Sequence, residues 1–194
     1  QKLNKIKNIT VVFIGDASLE EGIFHEAANF SSLHNLPIIF VCENNLYSVY
    51  TNLNERQPHN NLIKHAKAHN IISKKIDGND VLKINKEIKI AKKKCLENKG
   101  PFFFQLDTYR WREHCGPNYD NHIGYRSVKE FNFWKLKCPI EKFKNKLSKN
   151  KILNKNKIQN IENKIEKKIN SIFEYAKVSS LPDFNKANLN VYAK

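Results

Sequence analysis

By its hydrophobic spacing alone, the first half of the chain alternates short apolar runs with amphipathic stretches. Ile9 to Ile14 (ITVVFI) is a β-branched run stopped by Gly15, the pattern of a strand buried on both faces. Ser18 and Glu21 have the spacing of a capping box. Leu19, Ile23, Ala27, Phe30 and Leu33 follow at helical intervals and predict an amphipathic helix with that stripe against the core. Pro37 closes the connection, and Ile38 to Cys42 (IIFVC) predicts a second buried strand. After a polar stretch, Leu62 to His69 reads as helix and Ile71 to Ile76 as a third strand, stopped by Asp77-Gly78. Val81, Ile84, Ile88, Ala91 and Cys95 mark one face of a further helix, closed by Gly100-Pro101, and Phe102 to Leu106 is a fourth strand. Strands alternating with helices predict parallel pairing through right-handed crossovers. The expected fold class is α/β, with a doubly wound, mostly parallel sheet.

From Thr108 to Ser127 no period survives, and a loop that long in a compact domain is usually functional or disordered. Beyond it, Pro139 to Leu147 and then Ile158, Ile161, Ile165, Ile169 and Ile172 predict helices with polar outer faces, before an irregular tail from Ser179 to Lys194. The expected division is an α/β domain over 1–138 and a helical extension with its tail over 139–194. Gln1 opens a chain that contains no methionine, so the N-terminus reads as cut and the α/β domain as partial.

Composition changes this picture little. Among 194 residues, 34 Lys and Arg against 19 Asp and Glu give a formal net charge of +15, which raises nucleic-acid binding as a function. Much of the excess is Lys in the last third, alternating with Asn and Ile at helical spacing. That is a solvated helix face rather than a clustered binding surface, so no nucleic-acid partner is expected. No apolar run approaches the roughly 20 residues that span a bilayer, and no signal peptide is visible, so no membrane partner is expected and the bacterial cytoplasm or an organelle matrix is. Cys42, Cys95, Cys115 and Cys138 share no metal-ligand spacing and read as reduced thiols. His25, His34, His59, His65, His69 and His122 likewise read as surface residues without a common ligand spacing, and Trp111 and Trp134 as packing anchors.

Candidate chemistry gathers at two strand ends. In an open parallel sheet, ligands bind beyond the carboxyl ends of the strands. The first strand runs into Gly15-Asp16-Ala17-Ser18 and the second into Glu43-Asn44-Asn45. One strand-helix-strand unit carries Asp16 and Asn45 to the same edge. A carboxylate beside an amide oxygen suits a hard cation such as Mg2+, which keeps places for phosphate oxygens and water. A helix opening at Ser18 would aim free N–H groups and its positive dipole end at the same spot. Taken singly, Asp16 reads as a helix cap and Asn44-Asn45 as a turn; taken together they read as a Mg2+-diphosphate site.

The run GDASLEEGIFHEAANFSSLHNLPIIFVCENNLYSVYT resembles the GDG-to-NN signature of thiamine-diphosphate enzymes. With IDGNDV at 76–81, GPFFFQLDTYRWREH at 100–114 and GYRS at 124–127, it resembles the alpha subunit of the first component of the 2-oxo acid dehydrogenases, pyruvate type, over nearly the whole chain. The resemblance implies the thiamine-diphosphate-binding fold, with thiamine diphosphate and Mg2+ as cofactors. It implies that Asp16 ligates Mg2+ through its carboxylate, Asn45 through its side-chain oxygen and Tyr47 through its backbone carbonyl. Ala17 and Ser18 would offer backbone N–H groups to the diphosphate. His114 would be the catalytic histidine beside the cofactor, in a loop bracketed and ordered by Arg110 and Arg126.

The implied activity is oxidative decarboxylation of a 2-oxo acid, pyruvate first, with acyl transfer to lipoamide. Acetoin and branched-chain 2-oxo acid dehydrogenases are the near alternatives, and a basic binding module without catalysis the distant one. The implied partners are a beta subunit, which supplies the glutamate that activates the cofactor, and a lipoyl acyltransferase, in a heterotetramer of two alpha and two beta chains. Ala17 replaces the third signature glycine, which requires a negative φ there. Cys115 and Gly124 stand where some members carry regulatory phosphoserines, so that control is not expected. The EHCGPNYD segment departs from the usual pyruvate-type loop and leaves the substrate open.

Overall fold

The computed structural model describes residues 7–186 and Leu189. Contacts divide the chain into two compact units, residues 1–143 and 144–194.

The first unit runs β1 (Thr10–Gly15), a 3-10 turn (Asp16–Glu20), α1 (Gly22–Leu33), β2 (Ile38–Asn44), β3 (Tyr47–Ser48), β4 (Thr51–Asn52), α2 (Leu53–Arg56), α3 (Ile63–Lys67), β5 (Ile72–Asp77), α4 (Val81–Leu96), β6 (Phe102–Asp107) and α5 (Val128–Lys135). α6 (Pro139–Lys149) begins in it. Four strands form one sheet in the order β1-β2-β6-β5, all parallel, and β3 and β4 make a separate antiparallel hairpin.

Strand alternation sends side chains to opposite faces, and each face has its own core. On one side Phe40, Cys42 and Phe103 pack with Phe24 and Ala28 of α1, Ala66 of α3, and Leu19, Leu53, Leu62 and Ile71. On the other, Ile39, Val41, Phe102, Phe104, Leu106 and Ile76 pack with Ala91 and Cys95 of α4. Helices therefore cover both faces, as a doubly wound sheet requires. β6, the run FFFQLD, lies between two strands, and its first five residues are buried.

Three local expectations are corrected. β1 is not buried on both faces: among the described residues it is an edge strand of the sheet, and Val11 and Phe13 stand 40% and 68% exposed. The Ser18–Glu21 capping box does not form. Asp16–Glu20 is a 3-10 turn, Glu21 takes the N-cap position of α1 without a side-chain bond, and the helix opens at Gly22. With Leu19 in that turn rather than in the helix, the buried face of α1 is Phe24, Ala28 and Ser31, whereas Ile23, Ala27, Phe30 and Leu33 face outward.

In the second unit α7 (Lys155–Val178) starts at Asn154, whose side chain accepts the Lys157 N–H at 2.9 Å. Lys144 pairs with Glu162 at 2.9 Å, and Ile161, Ile165, Ile169 and Ile172 remain about half exposed. Among the described residues no helix is long and apolar enough to cross a membrane.

Candidate cation-diphosphate site at the carboxyl rim of the sheet

Parallel pairing sets the strand ends side by side: Gly15 is in register with Glu43, Asn44 with Asp107, and Asp77 with Asp107. Asp16, Asn44, Asn45 and Asp107 thus share one rim. Asp16 is 1% exposed, and its Oδ1 accepts the Asn45 backbone N–H at 3.4 Å across 29 residues of sequence. Its Oδ2 pairs with the Arg56 guanidinium, which also reaches Glu20.

The Asn45 side-chain oxygen accepts the Tyr47 N–H at 3.1 Å, closing an Asx-type turn. Between them Leu46 is held at φ 74, a left-handed conformation that costs a branched aliphatic residue about 1–3 kcal/mol. Asn44 fixes that turn from below: its Oδ1 accepts the Leu46 N–H at 3.2 Å and its Nδ2 donates to Asp107 at 2.9 Å. Buried Gln105 donates to the same Asp107 oxygen at 2.8 Å. Gly78 sits where a Cβ would lie 2.7 Å from the Asp107 carbonyl, so IDGNDV needs glycine there. Ala17 has no positive φ, as its place in the signature requires, and it and Ser18 lie in the 3-10 turn. An α-helix dipole at Ser18 is not what the structure provides, since α1 begins at Gly22.

Tyr47 is buried, its hydroxyl hydrogen-bonded to both Glu130 oxygens at 2.9 Å and its ring edge-on to Tyr109 and Tyr125. Burial first, then the Glu130 carboxylate against an opposing bond with Asn52, pushes its phenol up to about 12.

The long loop is ordered from within. Arg126, fully buried in its side chain, pairs with buried Asp120 at 2.6 Å and donates to the Arg110 and Trp111 carbonyls and to the Asn121 side chain. Arg110 reaches the Val49 carbonyl at 2.6 Å and so ties the loop to the β3–β4 hairpin. Both arginines therefore order the loop. Trp134 stacks on Tyr109 with 4° between the planes, a packing role. His114 is exposed in this loop, and among the described residues no hydrogen bond or ion pair links it to Asp16 or Asn45. The structure thus brings Asp16, Asn45 and Tyr47 together at the rim, while His114 lies exposed on the long loop.

The donor set at the rim is one carboxylate with amide and carbonyl oxygens, a hard set that fits Mg2+. In this structure the positive charge beside Asp16 is the Arg56 guanidinium. Among the described residues no three His, Cys, Asp or Glu side chains surround a common metal position, so a cation at this rim would lean on neutral oxygens. Sequence reasoning missed Arg56 and Glu130, for which no spacing gave a signal. It also missed a cluster of His25, His59, His65 and His69, although His65 and His69 stand only four apart in sequence.

The dehydrogenase E1 component family model matches residues 1–184. The mitochondrial pyruvate dehydrogenase E1 component subunit alpha of Dictyostelium discoideum is 31% identical over 193 residues, covering 99% of this chain and 50% of the relative. The mitochondrial 2-oxoisovalerate dehydrogenase subunit alpha 1 of Arabidopsis thaliana is 30% identical over 144 residues, 74% of this chain and 30% of the relative. The chain thus spans half the length of the first relative and less of the second. Among solved structures, a transketolase mutant from Pichia stipitis aligns at 25% identity and a TM-score of 0.43, covering 52% of this chain and 15% of that one. With a family model matched almost end to end, this chain belongs to the dehydrogenase E1 component family.

Proposed function

We propose that this chain holds the Mg2+ ion and the diphosphate end of thiamine diphosphate in an enzyme that oxidatively decarboxylates a 2-oxo acid, most directly pyruvate, and passes the acyl group to lipoamide. The observation that carries the reading is the meeting of the buried Asp16 carboxylate with Asn45 at one rim of the sheet. Family membership supports it.

Asp16 would give Mg2+ its charged ligand, exchanging Arg56 for the ion. The Asn45 oxygen, which now accepts one N–H, has a second lone pair for the metal. The Tyr47 carbonyl, just beyond the strained Leu46, would be a third oxygen, and the backbone of Ala17 and Ser18 would face the diphosphate. When bound, thiamine diphosphate supplies the carbon nucleophile and the electron sink for loss of CO2. His114, on the loop that Arg126 and Asp120 hold, would contact the diphosphate and move a proton during transfer once that loop closes. A beta subunit would complete the site and a lipoyl acyltransferase would take the acyl group, in a heterotetramer of two alpha and two beta chains.

The test is Mg2+-dependent binding of thiamine diphosphate by the full-length protein with its partner subunit. Asp16→Ala should abolish cofactor retention while the circular dichroism spectrum stays the same; unchanged affinity would refute the site. The 2-oxoisovalerate relative favours a second reading, a branched-chain substrate. Comparing CO2 release from pyruvate and from 2-oxoisovalerate decides between them.

A further inference from the structure

Four histidines that are scattered in sequence meet on the α1–α3 side of the sheet. His25 of α1 places its Nδ1 3.1 Å from Nε2 of His69, just beyond α3. The His25 ring lies 5.9 Å from that of His65 and 5.4 Å from that of His69, and His59 lies 6.0 Å from His65. His65 lies on α3 and His69 in the turn that follows it, and each ring packs against that of His25. The Nδ1 of His59 is buried without a hydrogen-bond partner, a cost that some ligand would relieve.

We propose that His25, His69 and His65, with His59 as a fourth donor, bind a divalent transition-metal ion of the zinc class. Two imidazole nitrogens on one tetrahedral Zn2+, each about 2.0–2.1 Å from the metal, stand about 3.3 Å apart. The His25 and His69 nitrogens are already within a few tenths of an ångström of that separation. Whichever of the two nitrogens carries the hydrogen in this contact would give it up by tautomerisation to the other nitrogen of its own ring, so both rings would bind the ion neutral and no proton is released overall. Imidazole is a borderline donor that selects zinc, copper or nickel over magnesium, so the ion differs in kind from the one proposed at Asp16.

The site is not closed beforehand: among the described residues no three of these side chains yet converge on one point. Closure takes ring rotation at His65, which exchanges its 3.2 Å contact with Gln57 for the metal. His59 lies three residues after Arg56, so an ion held by His59 and His25 would fasten to α1 the segment that leads away from the Asp16 clasp.

The test uses the intact protein, purified without a histidine tag, and Co2+ as a spectroscopic stand-in for Zn2+. Titration should give the intense visible bands of tetrahedral cobalt, saturating near one ion per chain. Equimolar Zn2+ should displace them, and Mg2+ should not. His25→Asn and His69→Asn should each weaken binding at least about tenfold, the low end of the loss seen even when a group that only orients a ligand is removed. His122→Asn, on the exposed 3-10 turn near Asn121, should leave binding unchanged. Should a His25 variant fold poorly, Zn2+ should still raise the melting temperature of the parent protein and not that of His69→Asn. No tetrahedral spectrum, or one that survives loss of His25 or His69, overturns the proposal.

Discussion

Replacing Asp120 with alanine tests whether the long loop is an ordered element or a passive connection. The Asp120 and Arg126 side chains are 1% and 0% exposed and lie 2.6 Å apart. The Arg126 guanidinium also sits about 5–6 Å from the Tyr109, Tyr125 and Phe131 rings. Asp120→Ala leaves this buried cation with only the neutral oxygens of Arg110, Trp111 and Asn121 and removes the acceptor of the Tyr125 hydroxyl bond at 2.9 Å. Deleting one partner of a buried pair costs about 3–5 kcal/mol, because the remaining charge stays desolvated. In a chain of this size that lowers the melting temperature by about 6–20 °C. Asp120→Asn keeps an acceptor and should lose less, and replacing Asp120 and Arg126 together by apolar residues should lose less than Asp120→Ala alone. Urea unfolding followed by tryptophan fluorescence reads this directly, since Trp111 and Trp134 are the chain's two tryptophans and both pack in this cluster. Tryptic cleavage at Arg110 and Arg112 should accelerate in parallel. A loss below about 1 kcal/mol, with unchanged cleavage, would refute the view that this pair holds the loop carrying His114.

Three further outcomes are expected. Because burial and neighbouring histidines depress the His65 and His69 pKa values, the unfolded chain takes up protons first as pH falls. Their contribution to stability is therefore constant above the usual imidazole range and is lost as pH drops through about 6.5. Melting curves between pH 8 and 5.5 should show this slope flattened in the His65→Asn, His69→Asn pair, and an equal slope in both proteins would contradict it. Arg56→Gln leaves Asp16 buried without its cation, so the variant should melt lower than the parent and recover more on addition of Mg2+; recovery no larger than the parent's would separate Arg56 from the ion's position. His114→Ala should keep Mg2+-dependent cofactor binding and slow turnover by about 10² or more; full activity would remove His114 from the reaction.

The sheet was legible because its strands are short apolar runs with clear stops. Phe102–Asp107 is buried along nearly its whole length, and its opening run of three Phe without polar alternation is the mark of a strand between two others. Gly78 was legible for a similar reason, since the turn after β5 passes too close to Asp107 for any side chain. The meeting of Asp16 and Asn45 followed from one strand-helix-strand unit, whose geometry is nearly invariant. The hairpin between β3 and β4 was not legible. Its turn contains Val49 at φ 53, where a β-branched residue is among the least expected, and no Gly, Asn or Asp announces it. What holds that turn is tertiary, the Arg110 bond to the Val49 carbonyl from 61 residues away, and no local pattern encodes it.

The phase of α1 shows why the histidine cluster escaped as well. Two apolar stripes compete on that helix: Ile23, Ala27, Phe30 and Leu33, and, one position further on, Phe24, Ala28 and Ser31. Counting from Leu19 selects the first, but Leu19 is buried in a 3-10 turn with fewer residues per turn, so the helix starts afresh at Gly22 and the second stripe faces the core. One residue of helix is about 100°, enough to exchange an inward face for an outward one. The same rotation carries His25, which adjoins Phe24, to the flank of α1 where His65 and His69 wait, and its ring packs edge-on against Phe24. A histidine judged by the wrong stripe reads as solvent-facing; judged by the right one it borders the core, where an imidazole needs a partner. The exposed stripe and the histidine cluster are two consequences of the 3-10 turn that begins at Asp16. The segment that forms the rim therefore also decides which residues of α1 meet α3.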